Sequence, residues 1–405
     1  MMWPTRRLRH FVTLNPPVRE LDMLPDGAEV AFLAMDSISD GGGYSVGELR
    51  APATAGSYTR FANDDVVFAK VTPCFENGKR ARMNNLPHGV GFGTTELTVL
   101  RSRSSADSGF LAYLVHEEGF RQGAIASMTG AGGLKRVSDR YVKDFTLPLP
   151  PIEEQRQIAA YLDRETGQID ELIAKQEQLL TILAERRQAL ISRMTTPPGD
   201  AKWSSGALKH YCSRITDGAH ISPVTDDGVH PFVSTRDVQD GRIGVANALR
   251  TDESSYRYMV KTGCQPVSGD VLFSKDGTVG RTAVVDGETG PFVVASSLVI
   301  LSPNVGRILP RYLDLVCRAE SVQSQVRALV KGAGLPRLSV TNLMKIRLIV
   351  PPVELQLELI DHVARSEAML ADLATKATQM IALLRERRQA LISAAVTGKI
   401  DVRSA

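Results

Sequence analysis

The sequence is poor in the residues that build covalent or metal-bound chemistry. Its 405 residues include four cysteines, Cys74, Cys212, Cys264 and Cys317, far apart and without a CxxC pair. That spacing excludes a disulfide framework or a cysteine zinc site as an organising feature and suits the reduced thiols of a cytoplasmic protein. His210, His220 and His230 recur every ten residues, whereas metal-binding histidines on a helix sit three or four apart, so no metal site is expected. No stretch approaches eighteen uninterrupted apolar residues, and no membrane span is expected. The opening MMWPTRRLRH carries charge with no apolar run behind it, unlike a secretory signal. An excess of one charge is also lacking. A net charge of +3 is too small for a free-standing, non-specific nucleic-acid binder, so any such contact must use local patches or borrow charge from a partner.

Catalytic signatures are missing as well. No GxxxxGK[ST] phosphate loop occurs, which excludes ATP-driven motor chemistry of that type. Asn15-Pro16-Pro17-Val18 shares N-P-P with the amino-methyltransferase motif, but valine stands where an aromatic would stack on the base, and no glycine-rich nucleotide turn precedes it. Asp270–Lys275 has a metal nuclease's acid-and-lysine spacing, but Ser274 occupies the second acidic position, so a strand and turn is the better reading. No catalytic residue and no cofactor follow from the sequence. Apolar residues at 43% and charged residues at 23% exclude global disorder.

What the sequence does have is a copy of itself. RRQALIS occurs at Arg186–Ser192 and again at Arg387–Ser393, an offset of 201. At the same offset Pro150-Pro151 matches Pro351-Pro352, Glu153 matches Glu354, and Gln155 matches Gln356. GAGGLKRVS (130–138) resembles GAGLPRLS (332–339) with one residue deleted, and DVVFAK (65–70) resembles DVLFSK (270–275). Trp3, Leu8, His10, Phe32, Asp40 and Gly41 match Trp203, Leu208, His210, Phe232, Asp240 and Gly241 at an offset of 200. A period this long is a duplicated domain rather than a solenoid, and implies pseudo-two-fold internal symmetry.

Each half divides in two. Residues 1–149 and 200–350 read as compact α+β domains. Short runs at Val66–Phe68, Leu97–Leu100, Val271–Phe273 and Leu298–Leu301 read as strands, and Phe110–Gln122 and Pro310–Val330 as helices. Residues 150–199 and 351–405 each read as one long helix. Leu162, Ile169, Gln176, Leu183 and Leu190 fall every seven residues, with Leu172 and Leu179 between. The second copy gives Val363, Leu370, Ala377, Leu384 and Leu391, with Leu373 and Met380 between. Gly167 interrupts the first helix, Pro197-Pro198-Gly199 ends it, and Thr397-Gly398 ends the second. A helix of about 40 residues, ~60 Å long, cannot bury its stripe on a small domain. The two helices are expected to pair antiparallel, a homodimeric coiled coil being the structural alternative. A rod with a domain at each end is a ruler, and ~34 Å per turn of B-DNA suits two heads reading a split target. A two-headed protein adaptor without a DNA role, or a self-contained enzyme, are the competing readings.

The segment LPLPPIEEQRQIAAYLDRETGQIDELIAK and the LLTILAERRQALIS behind it are similar to the central conserved region of type I restriction-modification specificity subunits. That region runs as a proline pair, an E-Q pair, T-x-x-I-D-x-L-I and R-x-A-L-I. IVPPVELQLELI and LLRERRQALISAAVTGKIDV resemble the family's C-terminal region, including its V-T-G ending. The resemblance covers the architecture throughout and about 90 residues in motif. The second copy departs where Leu370-Ala371 replaces Ile169-Asp170 and Leu355 follows Glu354, so the two ends of the rod are expected to meet a partner differently. The resemblance implies a non-catalytic subunit that binds a bipartite, asymmetric double-stranded DNA target. It also implies docking of two adenine-N6 methyltransferase (modification) subunits and of restriction subunits.

Partner-binding candidates on the helices are Gln155, Ile169, Asp170, Arg186, Arg187, Gln356, Arg387 and Arg388, with a solvated charged face as the plain alternative. Base readout needs hydrogen-bonding side chains on loops, and phosphate anchoring needs basic groups. Those criteria select Lys70, Thr72, Asn77, Lys79, Arg80 and Arg82 in the first domain, and Ser274, Lys275, Thr278 and Arg281 in its counterpart. Ser234, Thr235 and Arg236 form a further polar cluster, and the glycine-rich stretches add Lys135, Arg136, Lys331 and Arg337.

Overall fold

The computed structural model describes residues 3–40, 42–130, 133–199, 201–221, 228–239, 241–332 and 334–402. Gly41 and Asp240 of the repeat, and Ala131, Gly132 and Ala333 of the glycine-rich stretches, lie outside the described residues. The chain forms two units, residues 1–177 with 378–405, and residues 178–377.

In the first unit, Val66–Ala69 runs between Leu97–Ser102 and Arg80–Arg82, with Val12–Leu14 outside Leu97–Ser102, all antiparallel. A second sheet has the order Glu48–Arg50, Val30–Leu33, Val90–Gly93, Thr59–Ala62, with a parallel pair at its centre. Successive strand residues point to opposite faces. Val66 and Phe68 enter a helical core with Leu100, Phe110, Leu111 and Phe120, while Val67 and Ala69 pack with Leu33, Phe61, Leu97 and Val99. The strand is buried on both faces, so VVFA shows no polar alternation.

The second unit repeats this. Val271–Ser274 lies between Leu298–Pro303 and Thr282–Val284, with Cys212–Asp217 outside. Val271 and Phe273 join one core cluster, Leu272 and Ile300 another. Registers correspond: Val66 faces Leu100 and Phe68 faces Thr98, as Val271 faces Leu301 and Phe273 faces Val299. The second sheet has three strands, again with a parallel pair, His230–Val233 beside Val293–Val294.

The apolar pattern predicts one helix over Phe110–Gln122 and one over Pro310–Val330, and each is two. Helices Ser108–Leu114 and Glu118–Ala126 are separated at Glu117, whose extended backbone lets its carboxylate accept the Phe120 N–H at 2.8 Å. Helices Pro310–Arg318 and Glu320–Leu329 are separated at Ala319, also extended, where Gln323 Nε2 donates to the Cys317 carbonyl at 2.7 Å. A residue with extended φ/ψ is invisible to a 3.6-residue apolar period.

The long helices are Ile152–Met194 and Val353–Val396, of 43 and 44 residues. Within each unit they run antiparallel. In the first unit Ile158 and Leu162 share a core cluster with Ile392, Ala395 and Val396. In the second, Ile191 clusters with Val363. The seven-residue row is buried at Leu162, Ile169, Leu183, Val363, Ala377 and Leu384. The expected intermediate row is not: Leu172, Leu179, Leu373 and Met380 are 46%, 37%, 42% and 46% exposed. The second inward row lies four residues after the first, at Thr166, Ile173, Leu180 and Arg187, and at Glu367, Ala374, Ile381 and Arg388. Its polar members hide it from an apolar count. Thr166, for one, is 3% exposed because its hydroxyl donates back to the Leu162 carbonyl at 2.6 Å.

Candidate nucleic-acid interface

The strand ends carry the candidate surface, and it is built alike in the two units. After Ala69 the chain is pinned at Lys70: its N–H donates to Glu96 O at 2.9 Å and its carbonyl accepts from Val137 N at 2.8 Å. After Ser274, Lys275 N donates to Ser297 O at 2.9 Å and Lys275 O accepts from Leu338 N at 2.8 Å. Each lysine thus joins its strand to the root of a glycine-rich hairpin. The hairpins close through paired backbone bonds, Thr129 with Arg136 and Lys331 with Arg337.

The first patch gathers Lys70, Thr72, Lys135 and Arg136. Thr72 Oγ1 donates to Gly133 O and accepts from Lys135 N, both at 3.0 Å, so it shapes the hairpin. Arg136 holds Glu96 through two bonds of 2.7 and 2.8 Å, which pulls that carboxyl below its ordinary range. Lys135 is exposed. The second patch gathers Thr235, Lys331 and Arg337, with Lys275 buried at its base. Thr235 Oγ1 donates to Ser297 O at 3.1 Å, the carbonyl that also takes Lys275 N. Asp276 bridges Lys275 Nζ at 3.2 Å and Arg337 Nε at 2.9 Å. Ser234 completes a capping box with Asp237 beside an exposed Arg236. Glu96, Ser297 and Asp276, which organise both patches, escape the sequence criteria. Their signal is position: Glu96 and Ser297 each stand immediately before a Leu that opens a core strand.

Several candidates belong elsewhere. Lys79 is an internal strut, its Nζ donating to Met35 O at 3.1 Å and Ile38 O at 2.8 Å. Arg80 is buried, donating to Val115 O at 2.9 Å and to His116 Nδ1. A guanidinium stays protonated in proteins, so Nδ1 is the acceptor and His116 is the neutral imidazole. Burial first, then Arg80, Arg388 and Arg121, hold the His116 pKa well below its ordinary value. Arg82 pairs with Asp64 at 2.6 Å opposite Val66, at the far end of the strand pair from Lys70. Ser274 is fully buried; its hydroxyl donates to Thr278 O at 2.6 Å and accepts from Arg281 N at 2.8 Å, closing a turn. Arg281 reaches Val238 O at 3.4 Å. Thr278 and Asn77 remain exposed. Asn15 and Val18 of the N-P-P-V stretch are structural: Asn15, at φ 47°, accepts from Val99 N, and Val18 is 1% exposed. Asp270 caps its strand, accepting from Val267 N at 2.9 Å and pairing with Arg214 at 3.2 Å.

On the helices, three of the eight docking candidates, Gln155, Ile169 and Gln356, are buried, Arg187 and Arg388 are half-buried, and Asp170, Arg186 and Arg387 are exposed. Gln155 and Gln356 are both fully buried. Gln155 Oε1 accepts from Asp107 N at 2.8 Å, and Nε2 donates to Ser105 O at 3.1 Å and Pro150 O at 2.8 Å. Gln356 repeats the pattern with Leu309 N, Arg307 O and Pro351 O. Ile169 is 6% exposed. Arg187 pairs with Glu367 at 2.7 Å, and Arg388 with Asp170 at 2.9 Å. A buried amide whose three bonds are satisfied has nothing left for a partner. Arg186 and Arg387 stay exposed, and neither makes an ion pair among the described residues. Beside them are the outward apolar residues: Leu172, Leu179 and Ile182 on the first helix, Met369, Leu373, Met380 and Leu383 on the second.

The family model of the type I restriction modification DNA specificity domain matches residues 63–181 and 217–376. The type I restriction enzyme EcoAI specificity subunit of Escherichia coli is 32% identical over 197 residues, covering 48% of this chain and 32% of that one. The EcoKI specificity subunit of Escherichia coli K12 is 22% identical over 356 residues, covering 84% and 76%. The matched stretch therefore spans about a third of the EcoAI and EcoEI subunits. Among solved structures, a chain from the type I R-M system superposes with a TM-score of 0.80 at 19% identity, covering 98% of both chains. The HsdS subunit from Thermoanaerobacter tengcongensis gives 0.54 at 20% identity, covering 98% and 97%. These two likenesses concern the fold.

Proposed function

The chain belongs to the type I restriction-modification DNA specificity family, and we propose from that premise that it is the subunit that reads the DNA target. Residues 1–149 and 200–350 are its two target-recognition domains, and 150–199 and 351–405 its helical regions. Each domain binds one half of a bipartite, asymmetric double-stranded target. The subunit is cytoplasmic and performs no catalysis itself. It holds two adenine-N6 methyltransferase subunits, and through them restriction subunits, against that target. No helix among the described residues is long and apolar enough to cross a membrane.

One observation carries this reading. The same lysine-and-hairpin patch is present on two domains whose sequences have diverged. In the first, Arg136 is paired with Glu96 in a patch with Lys70 and Lys135; in the second, a buried Lys275 and an exposed Arg337 are paired with Asp276 in a patch with Lys331. Both patches are locally basic in a chain of nearly balanced charge, which is the electrostatic footprint for phosphate contact. Lys135, Lys331 and Arg236 supply exposed cations, and Thr278 and Asn77 exposed hydrogen-bonding groups on the neighbouring turns. Within each unit, the outward apolar residues of the helices and one exposed arginine, Arg387 in the first and Arg186 in the second, form a docking surface for a modification subunit.

The test is a domain exchange. Replacing residues 1–149 by the matching domain of another specificity subunit should change one half of the methylated sequence and leave the other half intact. A change in both halves, or in neither, would refute the assignment.

A further inference from the structure

The two glycine-rich hairpins share a feature that their basic residues do not explain. Each presents one leucine to solvent. Leu134 is 53% exposed and Leu335 is 57% exposed, and the two are related by the repeat offset of 201. Neither side chain joins any of the hydrophobic core clusters. Around them the copies have diverged: Lys135 gives way to Pro336 in the second copy, and one loop is a residue shorter.

The base of each hairpin is tied by backbone bonds. Thr129 and Arg136 exchange backbone bonds of 3.1 and 2.9 Å, and Lys331 and Arg337 exchange bonds of 2.9 and 2.8 Å. Arg136 and Arg337 are tied by ion pairs to Glu96 and Asp276. The loops also fold tightly beneath the leucines. A Cβ on Gly130 would lie 2.4 Å from Leu134 O, and one on Gly332 would lie 2.5 Å from Leu335 O. Both glycines have positive φ, 146° and 100°, so only glycine permits this approach. Two independent hairpins therefore each hold an exposed leucine near cations, Lys135 and Arg136 in one and Lys331 and Arg337 in the other.

We propose that Leu134 and Leu335 are apolar wedges, each set by its hairpin against the bases of one DNA half-site. The inference rests on the DNA-reading function proposed above and assigns it a further pair of residues. The flanking cations take phosphates and fix the hairpin's approach, and the leucine meets base edges or a partly opened base step. Apolar side chains inserted between bases unstack and kink duplex DNA, and so read its deformability rather than its hydrogen-bonding groups.

The experiment uses the full chain assembled with its modification subunits, and the duplex identified by mapping methylated adenines. 2-Aminopurine placed in either half-site reports unstacking. Leu134→Ala should weaken binding about tenfold, lower the fluorescence rise in one half-site only, and leave the salt dependence unchanged. Leu335→Ala should do the same in the other half-site, and Leu→Met should restore both signals. Lys135→Ala is the contrasting variant: it should lower the salt slope by about one and weaken all duplexes alike. Unchanged affinity and fluorescence in both leucine variants would overturn the wedge while leaving DNA reading intact. Failure of the leucine variants to assemble would overturn it in favour of a protein contact. A wild-type complex that does not bind the duplex would instead sink the DNA-reading function itself.

Discussion

Replacing Gln155 by leucine separates a structural amide from a docking amide. Its side chain joins the residue before helix Ser108–Leu114 to the start of the long helix, through Asp107 N at 2.8 Å, Ser105 O at 3.1 Å and Pro150 O at 2.8 Å. Leucine has nearly the same volume, so little cavity forms. What is lost is three hydrogen bonds, with one donor and two acceptors left inside the protein. At about 1 kcal/mol for each abandoned group the cost is about 3 kcal/mol. For a unit of this size that lowers the melting temperature by roughly 6–12 °C. Urea or thermal denaturation followed by circular dichroism measures it. Gln155→Glu is the second arm: its carboxylate faces two carbonyls, so at neutral pH it should destabilise at least as much, and recover partly in acid as the carboxyl regains a proton to donate. Gln356→Leu should reproduce the effect in the second unit, where the contacts are equivalent. If Gln155→Leu melts like the wild type yet no longer binds the modification subunit, the glutamine belongs to a docking surface and the reasoning fails.

Other outcomes follow from the same geometry. Gly167 is exposed in a helix interior and a Cβ there meets nothing within 4 Å, so Gly167→Ala should stabilise by about 0.5–1 kcal/mol in the same denaturation assay. Gly398→Ala should destabilise by more than about 1 kcal/mol, because the position has φ 73° and its Cβ would lie 2.8 Å from the Trp3 ring. His116 is held neutral by burial, so its folded pKa lies below its unfolded value of about 6.5. Its contribution is therefore complete above that pH and lost as pH falls, with a slope of at most about 1.4 kcal/mol per unit. Urea titrations at several pH values should show a shallower acid limb for His116→Gln, and an unchanged limb would contradict the assignment. Arg186→Glu with Arg387→Glu should weaken modification-subunit binding in a pull-down without moving the melting temperature.

The duplication, the paired long helices and the core strands were legible in the sequence, because each leaves a pattern in apolar residues or in identical residues. Val66–Phe68 and Val271–Phe273 read as strands through continuous apolarity, which is the mark of a strand covered on both faces. The breaks at Glu117 and Ala319 were not legible, since a single extended residue leaves no period. Nor was the inward row of Thr166, Arg187, Glu367 and Arg388: Thr166 satisfies its hydroxyl within its own helix, and the other three are half-buried in ion pairs that a count of apolar residues does not register. At the candidate surface, loop position finds Lys70, Lys135 and Arg136. Residue type alone also draws in Lys79, Arg80 and Ser274, whose donors are spent on backbone carbonyls.

The internal repeat sharpens that distinction, because one copy controls for the other. RRQALIS lies within the longest identical run, which also takes in Glu185 and Glu386, and reads as a docking motif. In both copies its second arginine pairs with an acid on the other long helix. Its glutamine donates to a carbonyl at a helix break, Gln188 to Arg318 O at 3.1 Å and Gln389 to His116 O at 2.7 Å. Its isoleucine is buried, Ile191 at 2% and Ile392 at 0%. A duplicated fold must solve the same packing problem twice, so residues kept in both copies report first on the fold's own joints. The proposed recognition of two unlike half-sites demands the opposite, side chains free to differ, as on the turns that carry Asn77 in one unit and Thr278 in the other, which differ in length and sequence. A residue that is kept in both copies, is exposed, and joins neither a core cluster nor a side-chain bond among the described residues fits neither class. Leu134 and Leu335 meet that condition, as Leu172 and Leu373 do on the long helices; for the hairpin pair, flanked by cations, the proposed demand is what both half-sites share, the stacked bases of a duplex.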